Sequence, residues 1–178
     1  TDSVYSAFRK PSFPATHTPA QKLKTNTKQV CDEHTVFGCD YIGLGYYHFP
    51  LEDNKIALKN FQEEYLAVAE TLRENGKYFM YHNHDMEFQK IDGITILERI
   101  SQIFSADKMG FILDTFWVQA GGGDPAHWVE KFRGRVPCIH LKDYSFGRKM
   151  EVIGEGNINF DRVFEKAETA GTKYMLVE

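Results

Sequence analysis

The residues best suited to chemistry in this chain sit at the ends of short apolar runs. YFMYHNH (Tyr78–His84) delivers His82 and His84, and MGFILDTFW (Met109–Trp117) delivers Asp114. CIHLKDY (Cys138–Tyr144) delivers His140 and, two residues later, Lys142, while YMLVE (Tyr174–Glu178) delivers Glu178. A parallel α/β barrel builds its active site in this way, from strand tips on one face. A mixed His/Asp/Glu set without cysteine favours a catalytic divalent ion with an open position over a structural one. Such an ion holds hydroxyl and carbonyl oxygens and stabilises an enediolate. A carboxylate or lysine nearby takes and returns a proton alpha to the carbonyl.

Each of these residues also has a plainer reading. Asp114 could cap the next helix, and His140 could be a core histidine bonded to backbone. Lys142 weighs against the second reading, because it shares a strand face with His140 and has no ordinary role in a core. His82 and His84 share a face by the period of two, with one of them expected to serve the substrate or support the ion rather than bind it. Asn83 is expected to point away into packing. Glu87 either swings back over the site or is solvated. Trp117, Phe116, Tyr46 and Tyr47 supply either walls for a sugar ring or ordinary packing.

Strands and helices alternate around these residues. Strands are expected at 39–46, 77–84, 109–114, 136–141 and 173–178, with a sixth near 12–17. Helices are expected over Gln21–Phe37, Lys55–Asn75, Asp92–Ser105, Pro125–Phe132 and Phe160–Ala170, with 143–157 a polar loop. The Lys55–Asn75 stripe is read as Ile56, Leu58, Phe61, Tyr65, Leu66, Val68, Ala69 and Leu72. Alternation of this kind implies βαβ units and a parallel sheet. No Gly-x-Gly-x-x-Gly opens a helix after the first strand, so a dinucleotide fold has no support.

Composition narrows the classes. The 178 residues, with 42% hydrophobic and 26% charged, suit one domain with a sizeable core, read here as a single partial domain over 1–178. A net charge of −4 gives no footprint for nucleic acid. No apolar run approaches the ~20 residues of a membrane span. No signal peptide precedes the first strand, so a cytoplasmic compartment is expected. Three cysteines without metal spacing argue against a disulfide framework, and Cys138 reads as a buried small hydrophobe. The chain begins without Met and stops directly after an apolar run. A parallel strand needs cover on both faces, so the sequence is read as a piece of a longer chain. Its open sheet edges lead to an expectation of self-association, a homo-oligomer included.

Taken in order, YHNHDMEF, LDTFWVQAGGGDP, IHLKDY, GEGNINF and the closing LVE resemble the sugar phosphate isomerase/epimerase family, the xylose isomerase-like TIM barrels. The resemblance covers roughly residues 15–178. It implies an α/β fold, a (β/α)8 TIM barrel incomplete here: the five clear strands look like strands four to eight, with N-terminal strands and the final helix missing. It also implies one divalent metal ion (Mn, Zn, Mg or Co) held by Glu, Asp, His and Glu from four strand tips. Asp114, His140 and Glu178 match three of these, and the first Glu falls on His82 or nearby, with His84 and Glu87 the other candidates. In the family that Glu is one of two acid/base groups and the last-strand Glu the other. The departure puts a two-glutamate mechanism in doubt and leaves Glu87 or His84 to take over, beside Glu178 and Lys142. Trp117, His17, Tyr46 and Glu155 are the substrate-binding candidates.

The activity implied is an isomerase or epimerase acting on a sugar or keto-sugar, by proton abstraction alpha to a metal-held carbonyl. The alternative is a lyase, similar to the inosose dehydratase-like relatives, that dehydrates or β-eliminates a keto-sugar on the same site. An abasic-site endonuclease resembles this superfamily in fold, but it needs a zinc cluster and a DNA-binding surface. The seven His and negative charge argue against that. A non-catalytic sugar-binding barrel would stand only if no metal bound. The expected partner is therefore a small-molecule sugar or keto-sugar, not nucleic acid or a membrane. A phosphate on the substrate is not established: Arg148 and Lys149 lie in the right loop, but a solvated loop carries such charges by default.

Overall fold

The computed structural model describes residues 14–178. Its centre is a six-stranded parallel sheet: β1 (Thr16–Thr18), β2 (Tyr41–Leu44), β3 (Tyr78–His82), β6 (Met109–Asp114), β7 (Cys138–Leu141) and β10 (Tyr174–Val177). Two antiparallel pairs lie outside it, β4 (Lys90–Ile91) with β5 (Ile94–Thr95) and β8 (Asp143–Ser145) with β9 (Lys149–Glu151). The sheet order is β1-β2-β3-β6-β7-β10, so successive parallel strands are neighbours. The fold is α/β, an arc of parallel strands with helices outside, as in part of a (β/α)8 barrel. Among the described residues, β1 and β10 are not paired with each other.

Helices pack on the outside of the arc. They are α1 (Ala20–Thr25), α2 (Thr27–Val36), α3 (Asn54–Glu74), α4 (Ile96–Ile103), α5 (Thr115–Ala120), α6 (Pro125–Lys131) and α7 (Phe160–Ala170). The longest, α3, buries Ala57, Phe61, Tyr65, Val68, Ala69 and Leu72. Tyr65 stacks on Phe79 of β3 at 5.7 Å, and Phe61 meets Tyr81 edge-on at 5.4 Å. Ile56 and Leu66, expected on this stripe, are exposed. At 100° per residue both fall about 140° from Phe61, on the side of the helix turned away from the sheet. Among the described residues no helix is long and apolar enough to cross a membrane. All three cysteines are free and buried.

Four sequence expectations change in detail. The first long helix breaks at Asn26 (φ −135°, ψ 34°), which closes α1 and opens α2. Thr25-Asn26-Thr27 is a run of poor helix formers whose side chains compete for backbone: Thr27 Oγ1 bonds Leu23 O and Thr25 Oγ1 bonds Gln21 O. The helix expected from Asp92 starts only at Ile96. Asp92 and Gly93 take positive φ (51° and 80°) at the turn of the β4–β5 hairpin, as Asp-Gly turns favour. Thr95 then caps α4 by accepting from Glu98 N–H. The loop expected over 143–157 contains the β8–β9 pair. The six residues after Asp114, too short a stretch for a period to be visible, form α5.

The inward positions of the strands set up the site. Met80, Ile112 and Cys138, with Leu176 against them, form a small apolar cluster separate from the main core. Two residues further along each strand come His82, Asp114, His140 and Glu178. Because strand side chains alternate faces, each polar residue sits above an apolar one. The apolar layer forms the floor of a cup open at the C-terminal ends of the strands.

Candidate active site

His82, Asp114, His140 and Glu178 each offer a ligand atom, and these atoms all lie within 4.8 Å of one another. Register explains the convergence, since Asp114 pairs with His140, and His140 with Leu176, two residues before Glu178. His82 Nε2 is 3.4 Å from Asp114 Oδ2, and His140 Nδ1 is 2.5 Å from Glu178 Oε2. Lys142 Nζ reaches both carboxylates, at 3.2 Å from Asp114 Oδ2 and 2.9 Å from Glu178 Oε1. Both ring nitrogens of His82, Asp114 Oδ2 and His140 Nδ1 are buried and make no well-aligned hydrogen bond, and the close contacts of Asp114 Oδ2 and His140 Nδ1 are to other members of the cluster and Lys142. Buried polar atoms are costly unless partnered. Two imidazoles and two carboxylates converging from four strands suit a divalent cation. On that ground the residues fit the ion their pattern implies.

Asp114 serves two purposes. It is fully buried, and its Oδ1 accepts Trp117 N–H at 3.0 Å to cap α5. Its Oδ2 is the one turned to the cluster. The helix-cap reading and the pocket reading of this residue are therefore both realised, one per oxygen. Burial works to raise its pKa, but His82, the Trp117 N–H and Lys142 outweigh this and hold it below the ordinary value. In Glu178 burial is likewise outweighed, chiefly by Lys142 and then His140, and its pKa is lowered. Lys142 is raised despite burial, by Glu178 and Asp114, and stays an ammonium. Burial and the neighbouring His82 lower His140.

The other candidates fall at different places. His84 lies outside the four-residue group, its ring 4.8 Å from His82, 5.2 Å from Trp117 and 5.6 Å from Tyr46. Burial first, then His82, bring its pKa down to about 4, so it is neutral at pH 7. His84, Trp117 and Tyr46 thus line one side of the cup as a wall of rings. His17 is the middle residue of β1, with its ring 4.9 Å from His82 and 5.3 Å from His140. Glu155 is exposed in its loop and makes no hydrogen bond or ion pair to the cluster among the described residues.

Glu87 is neither over the site nor solvated, and both expectations for it are corrected. It is fully buried, taking a hydrogen bond from Tyr81 OH at 2.5 Å and from His84 N–H at 2.7 Å. The 3-10 turn Met86–Phe88 folds it back beneath the β3 tip. Burial raises its pKa. Asn83 is not simply packed away either. Its Oδ1 accepts Asp114 N–H at 2.9 Å and ties β3 to β6.

Thr115 went unnoticed in the sequence. Buried completely, it donates to Lys142 O (2.7 Å) and accepts Lys142 N–H (3.0 Å), fixing the β7 tip to the start of α5. Its only signal was position, directly after Asp114. Asp143, also buried completely, takes backbone N–H groups from Tyr144, Gly154, Gly156 and Ile158 and gathers the loop beside the cup.

The family described as xylose isomerase-like TIM barrel matches residues 3–178. Among solved structures, a sugar phosphate isomerase/epimerase from Parabacteroides distasonis ATCC 8503 superposes with TM-score 0.78 at 25% identity, over 94% of this chain and 63% of that one. The probable 3-DHS dehydratase AsbF from Bacillus anthracis, involved in petrobactin synthesis, gives 0.71 at 12%, over 94% and 70%. The IOLI protein, solved with a binding zinc atom, gives 0.69 at 12%, over 94% and 67%. The chain thus spans less than two thirds of the length of the first of these, and the identities below 25% speak for the fold alone. No curated protein matches the chain.

Proposed function

The chain belongs to the xylose isomerase-like TIM barrel family, and from that premise we propose that it is an isomerase or epimerase of a sugar or keto-sugar, working by proton abstraction alpha to the carbonyl. One observation carries the proposal: four ligand atoms from His82, Asp114, His140 and Glu178 converge within 4.8 Å above an apolar floor. These four residues would hold a divalent ion, whose contribution when bound is Lewis-acid polarisation of the substrate carbonyl.

The chain's own groups divide the remaining work. Glu178 reaches solvent and, with its pKa lowered, is ionised at neutral pH and able to accept a proton. Lys142, an ammonium 2.9 Å from Glu178 Oε1, offsets negative charge developing on substrate oxygen and donates a proton back. The His84, Trp117 and Tyr46 rings form an apolar wall for a sugar ring, and the neutral His84 imidazole adds a hydrogen-bonding edge. The Met80, Ile112, Cys138 layer keeps water from beneath the reacting carbon.

A specific observation favours a lyase as the second reading. Glu87 is locked under Tyr81, so Glu178 is the one carboxylate of the cluster that reaches solvent, and its proton-donating partner Lys142 stands beside it. Epimerisation needs proton transfer at two faces of a carbon, whereas a base and an acid side by side suit loss of a leaving group from one face. Incubating the protein with Mn and a panel of ketoses and keto-sugars in D2O tests the shared step. An isomerase is expected to bring deuterium onto the carbon beside the carbonyl, whereas a lyase loses that proton together with the leaving group; the absence of both deuterium uptake and an eliminated product with every substrate would count against both readings. Product that keeps every heavy atom, heavier only by the deuterium taken up and with a rearranged carbonyl or stereocentre, identifies the isomerase, and loss of water or an aglycone the lyase.

A further inference from the structure

Strand β2 is bare where it faces the cup. A Cβ on Gly43 would come within 3.1 Å of His17 Cδ2, and within 2.7 Å of both Thr16 O and Ile112 Cδ1. A Cβ on Gly45 would meet His17 Nδ1 at 3.2 Å. The His17 ring therefore lies across naked backbone. This matters because His17 is on β1 and His82 is on β3, with the whole of β2 between them. Strands are spaced ~4.8 Å apart, so a ring from β1 meets a ring from β3 only if the strand between presents no side chain. The two rings do meet, at 4.9 Å, and His17 also comes to 5.3 Å from His140. His17, His82 and His140 form a second group whose ligand atoms all lie within 4.8 Å, sharing two members with the first.

We infer that His17 is a third imidazole arm of the metal centre, admitted by the glycine pair Gly43 and Gly45, and that the centre therefore prefers zinc to magnesium or manganese. The inference rests on the proposed metal centre and goes beyond it, to which ion that centre selects. Imidazole nitrogen suits zinc, whereas magnesium and manganese favour carboxylate, carbonyl and water oxygen. With His82 in the first position and His17 added, imidazole nitrogens outnumber carboxylates three to two. His17 arrives from the open side of the cup, where its outer face is exposed. Its contact with the ion is therefore separable from the fold.

The test is competition of zinc, magnesium and manganese against a chromophoric chelator, with the purified protein and three variants. His17→Ala removes the arm. Gly45→Val leaves His17 in place but fills its bed. His127→Ala, an exposed histidine on α6, is the control. Expected is tighter binding of zinc than of the other two ions by the parent. A loss of zinc affinity on the order of 10- to 100-fold is expected in both His17→Ala and Gly45→Val, with magnesium and manganese affinity and the control unchanged. The visible absorption of the cobalt-loaded protein should change in the same two variants. Zinc affinity and cobalt spectrum identical in parent and His17→Ala would overturn the inference and leave the four-residue centre standing. A parent that binds none of the ions would overturn the centre itself.

Discussion

At the scale of single residues, the site depends on atoms that do two things at once. Asp114 gives one oxygen to a helix cap and one to the cluster, and Thr115 gives its hydroxyl to both polar groups of the Lys142 backbone. Thr115→Val, nearly the same shape, leaves a buried N–H and a buried C=O without partners. A stability loss of about 1–3 kcal/mol is expected, read as a lower urea midpoint at unchanged slope; an unchanged midpoint would refute the role assigned to the hydroxyl. His82, Asp114, His140 and Glu178 were legible in the sequence because the period of two carries each from an apolar inward residue to a polar one, and Lys142 because the same period sets it on the face of His140. Thr115 and Asn83 were not, because their partners are backbone groups of other strands, and pairing across a sheet leaves no mark on local spacing. Glu87 was misread for a related reason. Its partner Tyr81 lies under the strand tip, and nothing in HNHDMEF tells whether the turn folds over or under.

At the scale of elements, the loop beside the cup is organised by one carboxylate. Burial alone would raise the pKa of Asp143, but the N–H groups of Tyr144, Gly156, Ile158 and Gly154 outweigh it and bring it below the ordinary 3.8. A carboxylate with a lowered folded-state pKa contributes stability that is fully present above 3.8 and lost as pH falls through the folded value. Melting temperature followed downward through this range should fall more steeply for the parent than for Asp143→Asn, which has no such proton to take up. Parallel curves would contradict the account. The loop's hairpin escaped the sequence reading because its strands are three residues each, below the length at which alternation is visible. The β4–β5 turn was legible in Asp92-Gly93 and was absorbed into a helix instead. Long elements with a sustained period, α3 and α7 among them, were read nearly to their ends.

At the scale of the molecule, parallel pairing between neighbours in sequence order brings together residues as far apart as His82 and Glu178. Barrel topology was legible because strand and helix alternate throughout. The reach of His17 across β2 was not, since it depends on the absence of side chains at Gly43 and Gly45. The central claim is that the converging atoms of His82, Asp114, His140 and Glu178 hold a divalent ion. Elemental analysis of the purified protein after incubation with Mn and Zn, beside Asp114→Asn and His140→Ala, tests it directly. Asn keeps the oxygen that caps α5, so Asp114→Asn separates metal loss from misfolding. About one ion per chain in the parent, lost from both variants, is the expected result. No ion in the parent, or the same content in all three proteins, would contradict it.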